Sequence, residues 1–415
     1  MYKKYQLKNK ANVVLVPLAD TKSVTVLIMY PVGSRYEPEK LAGVSHYIEH
    51  LMFKGTKKRP NTLVLTREID RLGASYNAFT SKEYTGYYIK TDAKYTETAV
   101  DILSDMLFNS KFDAKEMERE KGPIVEEIRM YQDNPLMNID NVFEDLLYDG
   151  CPLGRDIAGS EKHVLSYKRN EVLAFKNKYY QPQNMTIVVS GNVDENTKKI
   201  IEQYFGSEKN KGKINKNFKE YKFGSKKIDI QNKKTDQVQL MLGFPGLKHN
   251  DKSSPVSAVM NTIFGGSMSS RLFIEIRERR GLAYLVRSGG DNFRDTGYQS
   301  VRIGLESKNI NKAIAVVKTE MEKLIKKGPT ARELKDAKTH IRGGLTLSFE
   351  DSSNQASYYA NQALFADKIK TPEERLREID KVTKKQIQML AKKLFNWKKI
   401  RVAIIGDVDK KTLKF

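Results

Sequence analysis

The two halves of this 415-residue chain can be read with one grammar, and that repetition limits its fold more than any composition does. In the first half an apolar strand, Ser23 to Met29, leads through a loop at Gly33 to Glu39 into a helix through His46 and His50. In the second, Gln237 to Leu242 leads through a loop ending at Ser254 into a helix through Val259 and Ile263. Further on, Thr85-Gly86-Tyr87 opens a strand followed by a helix from Thr96, and Thr296-Gly297-Tyr298 opens a strand followed by a helix from Asn311. A further helix follows each, from Ala114 and from Ala331. The chain is thus expected to be α+β: two homologous domains, each a mostly antiparallel sheet with helices covering one face. The expected boundaries are residues 1–206 and 221–415, joined by a Lys, Gly and Asn-rich linker at 207–220.

Composition supports that reading and narrows the function. At 39% apolar residues there is enough to build two cores. No apolar run approaches the roughly 18 residues needed to cross a bilayer, and the polar, Lys-rich start does not read as a secretory signal, so a cytoplasmic protein with no membrane partner is expected. The single cysteine, Cys151, can form neither an intramolecular disulfide nor a Cys-type metal site, leaving His, Asp and Glu as ligands. The formal charge of +22 could serve a nucleic-acid partner or an acidic peptide. Its lysines are spread along the chain instead of clustering around aromatics, and no nucleic-acid partner is expected.

Two of the five histidines stand four apart in His46-Tyr47-Ile48-Glu49-His50. On a helix over 42–53, residues 46, 49 and 50 project from one face, so two imidazoles can hold one ion. Zinc suits such ligands, and a catalytic site adds a third protein ligand and leaves one position open to water. Glu49 is placed to take a proton from a water there. The pattern is the reverse of H-E-x-x-H and is itself the inverzincin signature. The second half has Asn261 and Gly265 near the corresponding places, so only the first can carry the metal.

The third ligand should be a carboxylate on another helix. Over 117–131 an apolar stripe contains Met117, Ile124, Ile128 and Tyr131, and Glu120 and Glu127 fall on it. Carboxylates on a core-facing stripe are costly unless paired or metal-bound. That makes Glu127 the candidate ligand and Glu120 a supporting group, the alternative being solvated glutamates on a misphased helix. Pro123 should kink this helix or start a new one. Residues 75–80 alternate as an exposed edge strand would, suited to pairing with an extended peptide.

On these residues, with Asn77-Ala78-Phe79-Thr80 and the stretch Arg277 to Tyr284, the chain resembles the M16, or pitrilysin-type, metallopeptidases, and within them the short members related to the mitochondrial processing peptidase. The resemblance implies one Zn2+ per subunit on His46, His50 and Glu127, with Glu49 as general base and Glu120 behind the ligands. It implies that Asn77, Ala78 and Phe79 bind substrate as an added strand, and that Arg277 and Tyr284 face the substrate and the developing oxyanion. Such a chain looks like half of a clamshell, and since it carries both the zinc motif and the Arg-Tyr pair, a homodimer enclosing unfolded peptides is expected. The competing readings are a noncatalytic relative acting as a scaffold or partner subunit, and a basic nucleic-acid-binding protein, which would show a steep salt dependence of binding.

Overall fold

A computed structural model of the chain describes residues 2–212, 218–221 and 223–414. The first sheet contains β1 (Lys3–Gln6), β2 (Asn12–Pro17), β3 (Ser23–Tyr30), β4 (Ser75–Thr80), β5 (Thr85–Asp92) and β6 (Thr186–Gly191), in the order β1-β2-β6-β3-β5-β4. The second contains β7 (Ile228–Gln231), β8 (Val238–Pro245), β9 (Ala283–Gly289), β10 (Tyr298–Leu305) and β11 (Arg401–Ile405), in the order β7-β11-β8-β10-β9. The expected duplication is present in the pairing itself. In each sheet one parallel pair, β2 with β6 or β7 with β11, is followed by three antiparallel ladders in the same succession. Among the described residues only β1 has no counterpart.

The expectation that helices cover one face of each sheet needs correction. In β3, Val24, Val26, Ile28 and Tyr30 enter one core, while Leu27 and Met29 enter another with Val14, Val16 and Val188. Both faces are covered, which is why β3 reads as an unbroken apolar run instead of an alternating one. The second face of the first sheet is covered by the helix Ser352–Phe365, through Ala356, Tyr359 and Ala360. The corresponding face of the second sheet is covered by Pro135–Leu147, whose Ile139, Phe143, Leu146 and Leu147 pack with Met241, Ala403 and Ile405.

Each sheet therefore recruits a helix from the other half of the sequence, and the contiguous boundaries 1–206 and 221–415 do not describe the compact units. One unit comprises 1–129, 155–219 and 348–369; the other comprises 130–154, 220–347 and 370–415. The expected linker at 207–220 is only partly visible, since 213–217 lie outside the described residues. Its described residues up to Lys219 belong to the first unit. Asn210 Nδ2 donates to the Asn9 carbonyl at 2.7 Å, and the Phe218 ring lies 3.8 Å from the Arg35 guanidinium. Among the described residues no helix is long and apolar enough to cross a membrane.

Candidate metal centre

The first histidine pair sits on a short helix, Val44–Leu51, whose start is set by Gly43 at φ 94. A side chain there would be strained, and a Cβ would come within 2.3 Å of the Ala158 carbonyl oxygen. The first-turn amides of this helix are held by the buried Glu37, whose two carboxylate oxygens accept from Gly43 N–H at 2.6 Å and Ser45 N–H at 2.7 Å. Tyr47, between the two histidines in sequence, donates to the Met117 carbonyl at 2.5 Å, tying this helix to the one that carries the glutamates.

That second helix runs from Ala114 to Asp133 with Pro123 inside it, so of the two expectations, a kink or a new helix, the new helix at Pro123 does not occur. Glu120 is buried, and Glu127 is half-buried one helical repeat beyond.

His46 Nε2, His50 Nε2 and Glu127 Oε2 converge. The two nitrogens are 3.3 Å apart, and the oxygen lies 3.6 Å from the first and 3.5 Å from the second. An ion held tetrahedrally at the usual zinc–nitrogen and zinc–oxygen distances needs ligands about 3.4 Å apart. The donor set of two imidazoles and one carboxylate therefore fits zinc in both chemistry and spacing. Among the described residues this is the one cluster of three such ligands within reach of a common ion. His50 is further oriented by Glu120, whose Oε1 lies 2.9 Å from Nδ1 and whose Oε2 lies 2.5 Å from Lys54 Nζ. The Nδ1 of His46 is buried and has no such partner.

The converging groups are electrostatically divided. Burial, reinforced by the charge on His50, pushes His46 down to about 4. Burial would lower His50 too, but hydrogen bonds to Glu120 and Glu127 win and raise it to about 9. Glu127 is held below the usual carboxylate range chiefly by its hydrogen bond with His50. Glu49 is raised by burial, against the Thr80 hydroxyl, which donates to its Oε2 at 2.5 Å.

β4 is the edge strand of the first sheet, as expected, with β5 on its inner side. Asn77 is exposed, and its Oδ1 accepts from the Ala78 amide at 2.9 Å. Ala78 is buried, while the Phe79 ring lies across Gly86 and meets Tyr84 edge-on at 6.0 Å. Arg277 and Tyr284 belong to the second unit. Arg277 is the penultimate residue of a π-helical turn, Phe273–Glu278, and Tyr284 lies in β9. The guanidinium sits 4.7 Å from the Tyr284 ring and 4.9 Å from that of Phe273, and the Tyr284 ring is 73% exposed. Sequence reasoning missed Lys54, Glu37 and Thr80 as supports. The signal for Thr80 was present, because it ends the same alternating strand on the face turned toward the metal helix.

Comparison with known proteins agrees with this geometry. Residues 12–161 match the family model described as Insulinase (Peptidase family M16), and 166–341 match the one described as Peptidase M16 inactive domain. An uncharacterized zinc protease of Bacillus subtilis is 34% identical over 95% of this chain and 96% of its own length. One of Rickettsia felis is 33% identical over 97% of each. A solved protease from Helicobacter pylori superposes with a TM-score of 0.92 over 98% of this chain and 99% of that one, at 21% identity. With both family models and these relatives spanning nearly its whole length, the chain belongs to the M16 family of peptidases, in its short form.

Proposed function

We propose that this chain is a zinc-dependent endopeptidase acting on unfolded peptides or precursor segments. The observation that carries the reading is the convergence of His46, His50 and Glu127 beside Glu49, one helical turn supplying both histidines and the base. Zinc held there would supply Lewis acidity, polarising a peptide carbonyl and acidifying a water. The chain's own groups do the rest. Glu49, raised by burial, takes a proton from the attacking water and returns it to the leaving amine. Glu120 keeps His50 Nδ1–H engaged so that Nε2 presents its lone pair. The free edge of β4, through Asn77, Ala78 and Phe79, holds the substrate extended.

Arg277 and Tyr284 enter this reading as a preassembled cation and phenol donor for the developing oxyanion, with the Tyr284 side chain presented outward. We further propose a homodimer with one zinc per subunit and two equivalent sites, forming a chamber that excludes folded proteins. The cytoplasm fits a chain whose one cysteine, Cys151, is a buried free thiol.

The test is to measure bound zinc and cleavage of a quenched peptide by the wild type and by Glu49→Gln. The variant should bind zinc and lose cleavage. A wild type without zinc, or a variant as fast as the wild type, would overturn the reading.

A further inference from the structure

We propose that Thr80 is a positioning residue that couples substrate binding on β4 to the orientation of Glu49. This rests on the peptidase reading above and deepens it. Thr80 is the last residue of the edge strand, and its Oγ1 donates to Glu49 Oε2 at 2.5 Å. Thr80 thus occupies one carboxylate oxygen and leaves Oε1 to take the proton.

Its side chain and its backbone serve opposite directions. Along β4 the side chains of Tyr76, Ala78 and Thr80 share a face by the two-residue period. Tyr76 lies 6.1 Å from Phe53, just past the metal helix, and Ala78 is buried in the core that includes Tyr47 and Ile48. The backbone phase follows from the turn. The Ser81 amide donates inward to the Tyr84 carbonyl, so in an antiparallel ladder the peptide groups of Thr80 and Ala78 point outward, away from β5. The Ala78 amide agrees, since it is met by the Asn77 side chain and not by β5. That side chain shields the edge from indiscriminate pairing.

A strand added along this edge would therefore bond to Thr80 itself. Pairing on both sides restrains its φ and ψ and hence its Cα–Cβ direction, and a β-branched residue has little χ1 freedom left to compensate. The hydroxyl that orients the base would then be held most firmly when a peptide lies on β4. A peptide too short to reach the strand would leave it less restrained.

Thr80→Val and Thr80→Ser test this, with a long quenched peptide, a short one confined to the residues around the scissile bond, and the Glu49→Gln variant as reference. With Thr80→Val, kcat on the long peptide should fall by about 100-fold, in the range of a misplaced general base. KM should stay within about twofold, the loss on the short peptide should be about tenfold or less, and Thr80→Ser should recover most of the activity. Zinc affinity from chelator competition and the thermal midpoint should match the wild type in both variants. Wild-type kcat in Thr80→Val, equal losses on both peptides, or no recovery by Ser would overturn the coupling while leaving the peptidase reading intact. A wild type that cleaves neither peptide would overturn both.

Discussion

His50 Nδ1 lies 2.9 Å from Oε1 of Glu120, and the other oxygen of that carboxylate is taken by Lys54 at 2.5 Å. The ammonium thus fixes the carboxylate that fixes the imidazole. Glu120 is nearly inaccessible, so water is poorly placed to take over its contact with His50. Glu120→Gln can keep its oxygen on His50 only by turning its NH2 toward Lys54. We expect zinc affinity to drop by about 10- to 100-fold in that variant. Lys54→Met should weaken it less, and Lys54→Arg least. Chelator competition at fixed pH measures all three, and wild-type affinity in Glu120→Gln would show that His50 needs no such support.

Glu37 predicts how stability depends on pH. Burial pushes its carboxyl up to about 7, although the Gly43 and Ser45 amides and Arg155 pull the other way. The folded chain holds this proton more tightly than the unfolded one, whose carboxyl has the ordinary value of 4.5. The stability it contributes is therefore full below pH 4.5 and is lost as pH rises toward 7. With zinc chelated throughout, urea denaturation of wild type and Glu37→Gln should give a difference that shrinks across this window, by on the order of 3 kcal/mol. A difference independent of pH would mean Glu37 is ionised at every pH tested.

Much of this site could be read in the sequence because its signals are periodic. The four-residue spacing of His46 and His50, the stripe bearing Glu120 and Glu127, and the alternation through Asn77 to Thr80 each need only one element to be recognised. What could not be read depends on which element packs against which. The helix Pro135–Leu147 buries an apolar stripe and Ser352–Phe365 a face of small residues and Tyr359, and neither carries a mark of the sheet it will cover. Lys54 looks like any surface lysine until Glu120, from another helix, is beside it. Pro123 starts no new helix, because the missing amide is one bond in a 20-residue helix whose packed face, with Ile124 and Ile128, outweighs it.

Arg59 is the tie on the segment just after the metal helix. Only 2% exposed, its guanidinium reaches Glu68 at 2.7 and 2.8 Å, Asp101 at 2.7 Å and Asp105 at 3.0 Å. Removing it strands Asp105, which is itself buried and otherwise holds the Thr56 hydroxyl. Arg59→Ala should cost about 3–5 kcal/mol, as expected for one partner lost from a buried ion pair. Arg59→Lys, without the planar fork, should fall between that variant and the wild type. Thermal midpoints measure both, and a midpoint for Arg59→Ala within a degree or two of the wild type would mean the carboxylates are satisfied without it.

The exchanged helix Pro135–Leu147 makes a prediction that contiguous domains would not. Phe143 of this helix meets β8 at Gly243 with the end of its ring, where an added Cβ would come within 2.0 Å of Cζ. The strand around it, Val238 to Pro245, is apolar apart from Gln239, and Gly243 lies within it, so the glycine is not there for a turn. Gly243→Ala should therefore destabilise by about 1–3 kcal/mol, the range for overpacking a filled core. Pairing it with Phe143→Leu should recover part of that loss, because the shorter side chain vacates the space the methyl needs. If the helix covered its own half instead, the two substitutions would simply add, and a double-mutant cycle on thermal stability distinguishes the two outcomes.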